Sequence, residues 1–196
     1  ETGVGELLAE VLRDRPIFEI SRGGVTFSGG EPIAQPSFLL SLIEACRREE
    51  IHVAVDTCGF AARETVLAVA ERADLLLWDV KTLDPARHRA LTGVPLEPIL
   101  ENLAAVSRVG VPIWLRLPIV PGVSDEPAHV AKAVALAERT PNVNRVSLLP
   151  FHRTANGKRE RLGKKPTPAE AALADAPSPG AARMEALASL FAPTGL

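Results

Sequence analysis

The chain has 196 residues, 46% of them apolar and 23% charged, with a formal net charge of −2. That length supports one domain with a substantial core, and the near-neutral charge excludes a nucleic-acid surface or a polybasic membrane patch. Its apolar runs are too short to cross a bilayer, and two cysteines, Cys46 and Cys58, make no disulfide framework, so a cytoplasmic protein is expected.

In chain order, residues 5–13 read as a helix, followed by an apolar strand over 24–28 that runs into Ser28-Gly29-Gly30-Glu31-Pro32. Two residues without Cβ let the backbone approach a ligand closely and expose its peptide groups. Residues 37–49 place Phe38, Leu39, Leu42, Ile43 and Cys46 at helical spacing, with Gln35-Pro36-Ser37 as a start signal. Strands follow at 51–56, 74–80, 111–120 and 144–150, and helices at 62–71, 98–109 and 127–139. The strands lie too far apart for hairpins and suit βαβ units. Their nearly continuous apolar runs indicate cover on both faces. From residue 163 the composition turns to Ala and Pro, a loose connection before a last helix over 181–191. The expectation is a parallel α/β protein, a partial barrel in a single core domain over 1–196.

In such folds the chemistry gathers at the carboxyl ends of the strands. Here those ends read Ser28-Gly29-Gly30-Glu31, Asp56-Thr57-Cys58-Gly59, Asp79-Val80-Lys81, Arg116 within Trp114-Leu115-Arg116, and Pro150-Phe151-His152. Asp56 and Asp79 suit an ammonium group, ribose hydroxyls or a cation, and Lys81 and Arg116 suit a carboxylate. A ligand carrying both an amino acid and a ribose meets that list, and S-adenosylmethionine is one. Singly, each residue has a plain structural reading, such as Asp56 as a helix cap.

The strings Gly23-Gly24-Val25-Thr26-Phe27-Ser28-Gly29-Gly30-Glu31-Pro32, Val55-Asp56-Thr57-Cys58-Gly59-Phe60, Trp78-Asp79-Val80-Lys81, Trp114-Leu115-Arg116 with Ile119-Val120-Pro121-Gly122, and Leu148-Leu149-Pro150-Phe151-His152 resemble, in order and spacing, the radical S-adenosylmethionine enzymes. Within them the match is to the glycyl-radical-enzyme activating enzymes, over roughly residues 5 to 165. The resemblance implies a partial (β/α)6 barrel in which Ser28, Gly29, Gly30 and Glu31 with Asp56 and Asp79 hold the methionine amino group and its neighbours. Lys81 and Arg116 would hold the carboxylate side, and His152 would lie by the ribose or adenine. A monovalent cation would use Asp56, Thr57, the Leu77 carbonyl and Asp79. The implied reaction is reductive cleavage of S-adenosylmethionine by a [4Fe-4S] cluster. The resulting 5′-deoxyadenosyl radical takes hydrogen from a glycine of a partner enzyme, with a flavodoxin or ferredoxin-type protein as electron donor.

The family binds its cluster through a C-x3-C-x2-C loop before the Gly-Gly-Glu strand, and residues 1–27 contain no cysteine. The first barrel strand is likewise unaccounted for. The expectation is a chain truncated at both ends, with the cluster ligands upstream of Glu1 and the 196 residues alone inactive; a degenerate relative without a cluster is the other reading. Two further alternatives stand. Asp79-x-Lys81-x-x-Asp84 resembles the orotidine-monophosphate decarboxylase suprafamily, a lyase class. A non-catalytic module that binds S-adenosylmethionine or a protein partner meets the same binding expectations.

Overall fold

Strand β1 (Gly24–Phe27) can lie against β2 (His52–Thr57) only because its first residue is glycine: a Cβ on Gly24 would stand 1.9 Å from the His52 carbonyl oxygen. A computed structural model of the chain describes residues 2–151 and 178–196. Its five strands, with β3 (Leu75–Asp79), β4 (Ile113–Ile119) and β5 (Val143–Pro150), form one sheet in the order β1-β2-β3-β4-β5. Sequential order with a helix after each of the first four strands is the βαβ arrangement that the strand spacing predicts. The β1–β2 and β2–β3 pairs are parallel, Val25 opposite Val53 and Asp56 opposite Leu77. Leu76 and Val80 donate to the carbonyls of Pro112 and Arg116, which advance together and so extend the parallel ladder to β4.

Two compact units divide the chain. The first comprises Glu1–Asp79, Pro98–Trp114 and Thr140–Asn144. In it, helix α1 (Val4–Arg13) passes at Asp14 into α2 (Arg15–Ser21). The sequence reading stops the helix before Pro16. That proline instead occupies the first turn of a second helix, where its missing N–H costs nothing. A short 3₁₀ turn (Pro32–Ala34) leads to α3 (Pro36–Arg48), and α4 (Arg63–Ala70) and α6 (Glu97–Val106) follow in sequence. Leu39, Leu42, Ile43 and Cys46 of α3 are buried, together with Val53 and Val55 of β2, Leu76 and Trp78 of β3, and Ile99, Leu103 and Val106 of α6. Each large aliphatic chain so buried stabilises by about 1.5–3 kcal/mol against exposure. Val53, Ala54 and Val55 are consecutive and all buried, so β2 is covered on both faces as expected. In β3 and β4 buried and half-buried residues alternate instead, because one face of each carries partly accessible side chains.

The second unit comprises Val80–Glu97, Leu115–Arg139 and Arg145–Leu196. Helix α5 (Pro85–Thr92) starts where Asp84-Pro85 reads in the sequence as a helix cap, and it is short and polar, with no apolar stripe to mark its extent. Its ends are well specified: the Asp84 carboxylate accepts from the Arg87 N–H at 2.8 Å, and Gly93 closes it at φ +79. Helix α7 (Pro127–Arg139) buries Val130, Ala133, Leu136 and Ala137. After α8 (Ala181–Ala188) the chain tightens into a 3₁₀ turn (Ser189–Thr194) whose Phe191 is buried. Buried Ser124 stitches the turn after β4, donating to the Pro118 carbonyl at 2.6 Å and accepting from the Val120 N–H at 2.9 Å. Among the described residues no helix is long and apolar enough to cross a membrane.

His129, in the first turn of α7, is buried, and its Nε2 has no hydrogen-bond partner among the described residues. Burial holds its pKa below the ordinary 6.5, helped by Lys132 and Arg87 and opposed by Glu126. The unfolded chain therefore binds a proton that the folded chain refuses, so this stability is present above the ordinary pKa and is lost as pH falls below it. The expected outcome is a denaturation midpoint that drops between neutral and acidic pH in the native chain and drops less in His129→Gln. Equal pH dependence in both proteins would remove His129 from the account.

Candidate functional site

In the first unit the parallel register of β1, β2 and β3 brings their carboxyl ends to one edge, and the sequence there supplies Ser28, Asp56 and Asp79. The Ser28 hydroxyl donates to the Asp56 carboxylate at 2.8 Å and ties the first two strand ends together. Gly29 follows at φ +136, backbone that a side chain rarely adopts. A Cβ added to Gly29 or to Gly30 would meet nothing within 4 Å. The glycine pair therefore borders open space rather than filling a tight internal turn. Asp56 and Asp79 are both half-buried, with Leu77 in register opposite Asp56.

Glu31 accepts hydrogen bonds through both carboxylate oxygens at this edge. One carboxylate oxygen accepts from the Thr57 hydroxyl at 2.6 Å and from the Ile33 N–H at 3.3 Å. The other accepts from the Cys58 N–H at 2.9 Å and from its thiol at 3.0 Å. The side chain expected to face a ligand is thus spent on fastening the glycine loop to the end of β2. Thr57 is buried, and its hydroxyl also accepts from the Gly59 N–H at 2.9 Å.

Beneath that loop, Gly59 stands at φ +72, and a Cβ there would come within 2.2 Å of two ring carbons of the buried Trp78. Asn102 of α6, buried, donates through its amide to the carbonyls of Gly59 at 2.9 Å and Ala61 at 3.0 Å. Sequence reasoning passed over Asn102, although a signal exists. Ile99, Asn102, Leu103 and Val106 share the i, i+3, i+4, i+7 stripe, so an amide sits where an apolar residue belongs.

The second unit holds Lys81, exposed, and Arg116, half-buried. The Val80 N–H donates to the Arg116 carbonyl at 2.9 Å, so the backbone just before Lys81 is bonded at Arg116. Asp84 of the D-x-K-x-x-D string is used as the cap of α5, and that bond to the Arg87 N–H holds its carboxyl below the ordinary range. A residue so committed does not serve the lyase reading. His152 lies outside the described residues.

The first unit is thus a parallel α/β sheet whose first strand ends in an open glycine pair beside carboxylates, the end of such sheets where ligand sites gather. The radical SAM superfamily model matches residues 4–134, and the chain belongs to that superfamily. It is 40% identical over 172 residues to the isethionate sulfite-lyase activating enzyme of Nitratidesulfovibrio vulgaris, covering 87% of this chain and 55% of that protein. To the pyruvate formate-lyase-activating enzyme of Clostridium pasteurianum it is 37% identical over 157 residues, covering 80% and 66%. A crystal structure of a domain of pyruvate-formate lyase-activating enzyme from Bacteroides vulgatus superposes with a TM-score of 0.72 at 28% identity, covering 89% of this chain and 96% of the domain. The chain spans about half the length of several of the curated relatives it matches.

Membership implies S-adenosylmethionine and a [4Fe-4S] cluster in general. The residues present fit the first: the space above Gly29 and Gly30 is clear, and the Asp56 carboxylate lies at the same strand ends. They do not fit the second. A cluster needs three or four thiolates, whereas the chain has two cysteines. Cys46 is buried in α3 with its thiol pushed up by that burial and by Glu49, and the Cys58 thiol donates to Glu31. Among the described residues no three His, Cys, Asp or Glu side chains form a group suited to a metal ion.

Gly59→Ala is expected to destabilise the first unit by more than about 2 kcal/mol, the left-handed backbone alone costing roughly 1–2 kcal/mol. The collision with Trp78 adds to that. Chemical denaturation measures it, and a midpoint equal to that of the unaltered chain would contradict the packing described.

Proposed function

We propose that this chain is the S-adenosylmethionine-binding core, a single radical SAM domain, of a glycyl-radical-enzyme activating enzyme. The observation that carries the reading is the open glycine pair. Gly30 has clear space where a side chain would stand and no left-handed backbone to require glycine. A ligand that approaches the backbone closely supplies the missing reason. The 40% identity to an activating enzyme supports the choice of ligand and reaction.

In this reading the backbone of Ser28, Gly29 and Gly30 receives the methionine amino group, with Asp56 oriented by the Ser28 hydroxyl as the nearby counter-charge. Glu31 contributes by holding that backbone in place. Asp79 contributes negative charge, Lys81 and Arg116 contribute cations for the carboxylate, and His152 serves the nucleoside end. A monovalent cation would draw on Asp56, Asp79, the Leu77 carbonyl and Thr57. When bound, S-adenosylmethionine supplies the 5′-deoxyadenosyl group. The activity proposed for the whole protein is its reductive cleavage and hydrogen abstraction from a glycine of a large partner enzyme, with electrons from a flavodoxin or ferredoxin-type donor. Two thiols hold no cluster, so the 196 residues by themselves bind rather than turn over.

Calorimetry with S-adenosylmethionine tests the reading. The unaltered chain is expected to bind, and Gly30→Val is expected to fold normally, since its side chain enters empty space, while losing that binding. Normal affinity in Gly30→Val would overturn the placement of the ligand. Asp79→Ala and Lys81→Ala are each expected to weaken binding by about 1.5–3 kcal/mol, the worth of one charge-assisted contact. Unchanged affinity in either removes that residue from the site.

A further inference from the structure

A continuous chain of hydrogen bonds runs from α6 to the glycine loop. The Asn102 amide donates to the Gly59 carbonyl at 2.9 Å, the Gly59 N–H donates to the Thr57 hydroxyl at 2.9 Å, and that hydroxyl donates to Glu31 at 2.6 Å. Glu31 directly follows Gly30, and Thr57 directly follows Asp56. Each link fixes the next, because a hydroxyl that accepts from one side is turned to donate to the other.

We propose that Asn102 is a positioning residue for the S-adenosylmethionine pocket, acting through residues 57–61 on Asp56 and Glu31. The inference rests on the function proposed above. Asn102 touches no ligand in this reading; it lies behind the loop. Both hydrogens of its amide are used, one on Gly59 and one on Ala61, so the side chain grips the loop at two points, two residues apart. Gly59 cannot be gripped by packing in the ordinary way. It has no side chain, its φ of +72 is held by no residue preference except its own, and its Cα lies against the ring of Trp78. A buried carboxamide that satisfies two inward-facing carbonyls removes the alternative in which either turns toward the pocket. A purely structural amide would anchor some loop at equal cost to stability. This one anchors the loop whose other end carries Asp56 and the donors to Glu31.

The test separates positioning from stability. Asn102→Ala and the near-isosteric Asn102→Asp, which lacks the two donors, are compared with Val106→Ala. Val106 is also fully buried on α6, one turn farther along, and takes no part in the relay. Affinity for S-adenosylmethionine is read by calorimetry, and stability by thermal melting of the same samples. The expected result is a fall of ten-fold or more in affinity for the Asn102 variants, with Val106→Ala melting as low or lower yet binding as the unaltered chain does. Should Asn102→Ala fail to fold, Asn102→Asp carries the comparison alone. Unaltered affinity in a folded Asn102 variant overturns the positioning role, as does an equal loss in Val106→Ala. Absence of binding by the unaltered chain overturns the pocket itself, and the positioning role with it.

Discussion

The carboxylate of Glu31 is the constraint on which the first unit's strand-end edge depends. It gathers donors from its own loop, at Ile33, and from a strand end more than two dozen residues later, at Thr57 and Cys58. Hydrogen bonds to a charged acceptor are shorter and stronger than neutral ones, and four on one group leave it little freedom. The glycine pair just before it is costly to order, since glycine surrenders more conformational entropy than any other residue on becoming ordered. Glu31 fixes the far side of that pair, and the Ser28 bond to Asp56 fixes the near side. A flexible dipeptide is thereby turned into a preformed cradle, and preformation lowers the entropic cost of binding.

The glycines of this unit fall into two kinds, and the difference separates architecture from function. At Gly24 and Gly59 a Cβ would overlap the protein's own atoms, so packing alone accounts for the residue. At Gly30 a Cβ would overlap nothing. The same holds for Gly3 and Gly5 at the start of α1, so what sets Gly30 apart is its place at a strand end beside Asp56. Sequence reading places Gly24 in a strand and assigns close approach of a ligand to Gly29 and Gly30.

Much of the fold was legible because it rests on periodicity. The strands of a parallel sheet announce themselves as short apolar runs between amphipathic helices, and all five were read within a few residues of their observed bounds. What escaped is what periodicity does not encode. The length of α5 has no apolar stripe to mark it, and α2 carries in its first turn a proline that in a linear reading signals a stop. The strand-end residues stand out as a set in the sequence, whereas the bonds that Glu31 makes do not. Its partners Thr57 and Cys58 are close only after β1 and β2 have paired. Asn102 was missed for the same reason, its acceptors lying some forty residues away.

The two thiols of the chain are both committed elsewhere. A cluster ligand must be a thiolate aimed at an open site, shared with at least two others. Cys46 is sealed on the buried side of α3, where burial and the nearby Glu49 both favour the neutral thiol. Cys58 stands at the right edge, but its sulfur donates to the carboxylate that holds the glycine loop. Recruiting Cys58 to iron would take one of four donors from Glu31 and loosen the hold of that carboxylate on the glycine loop.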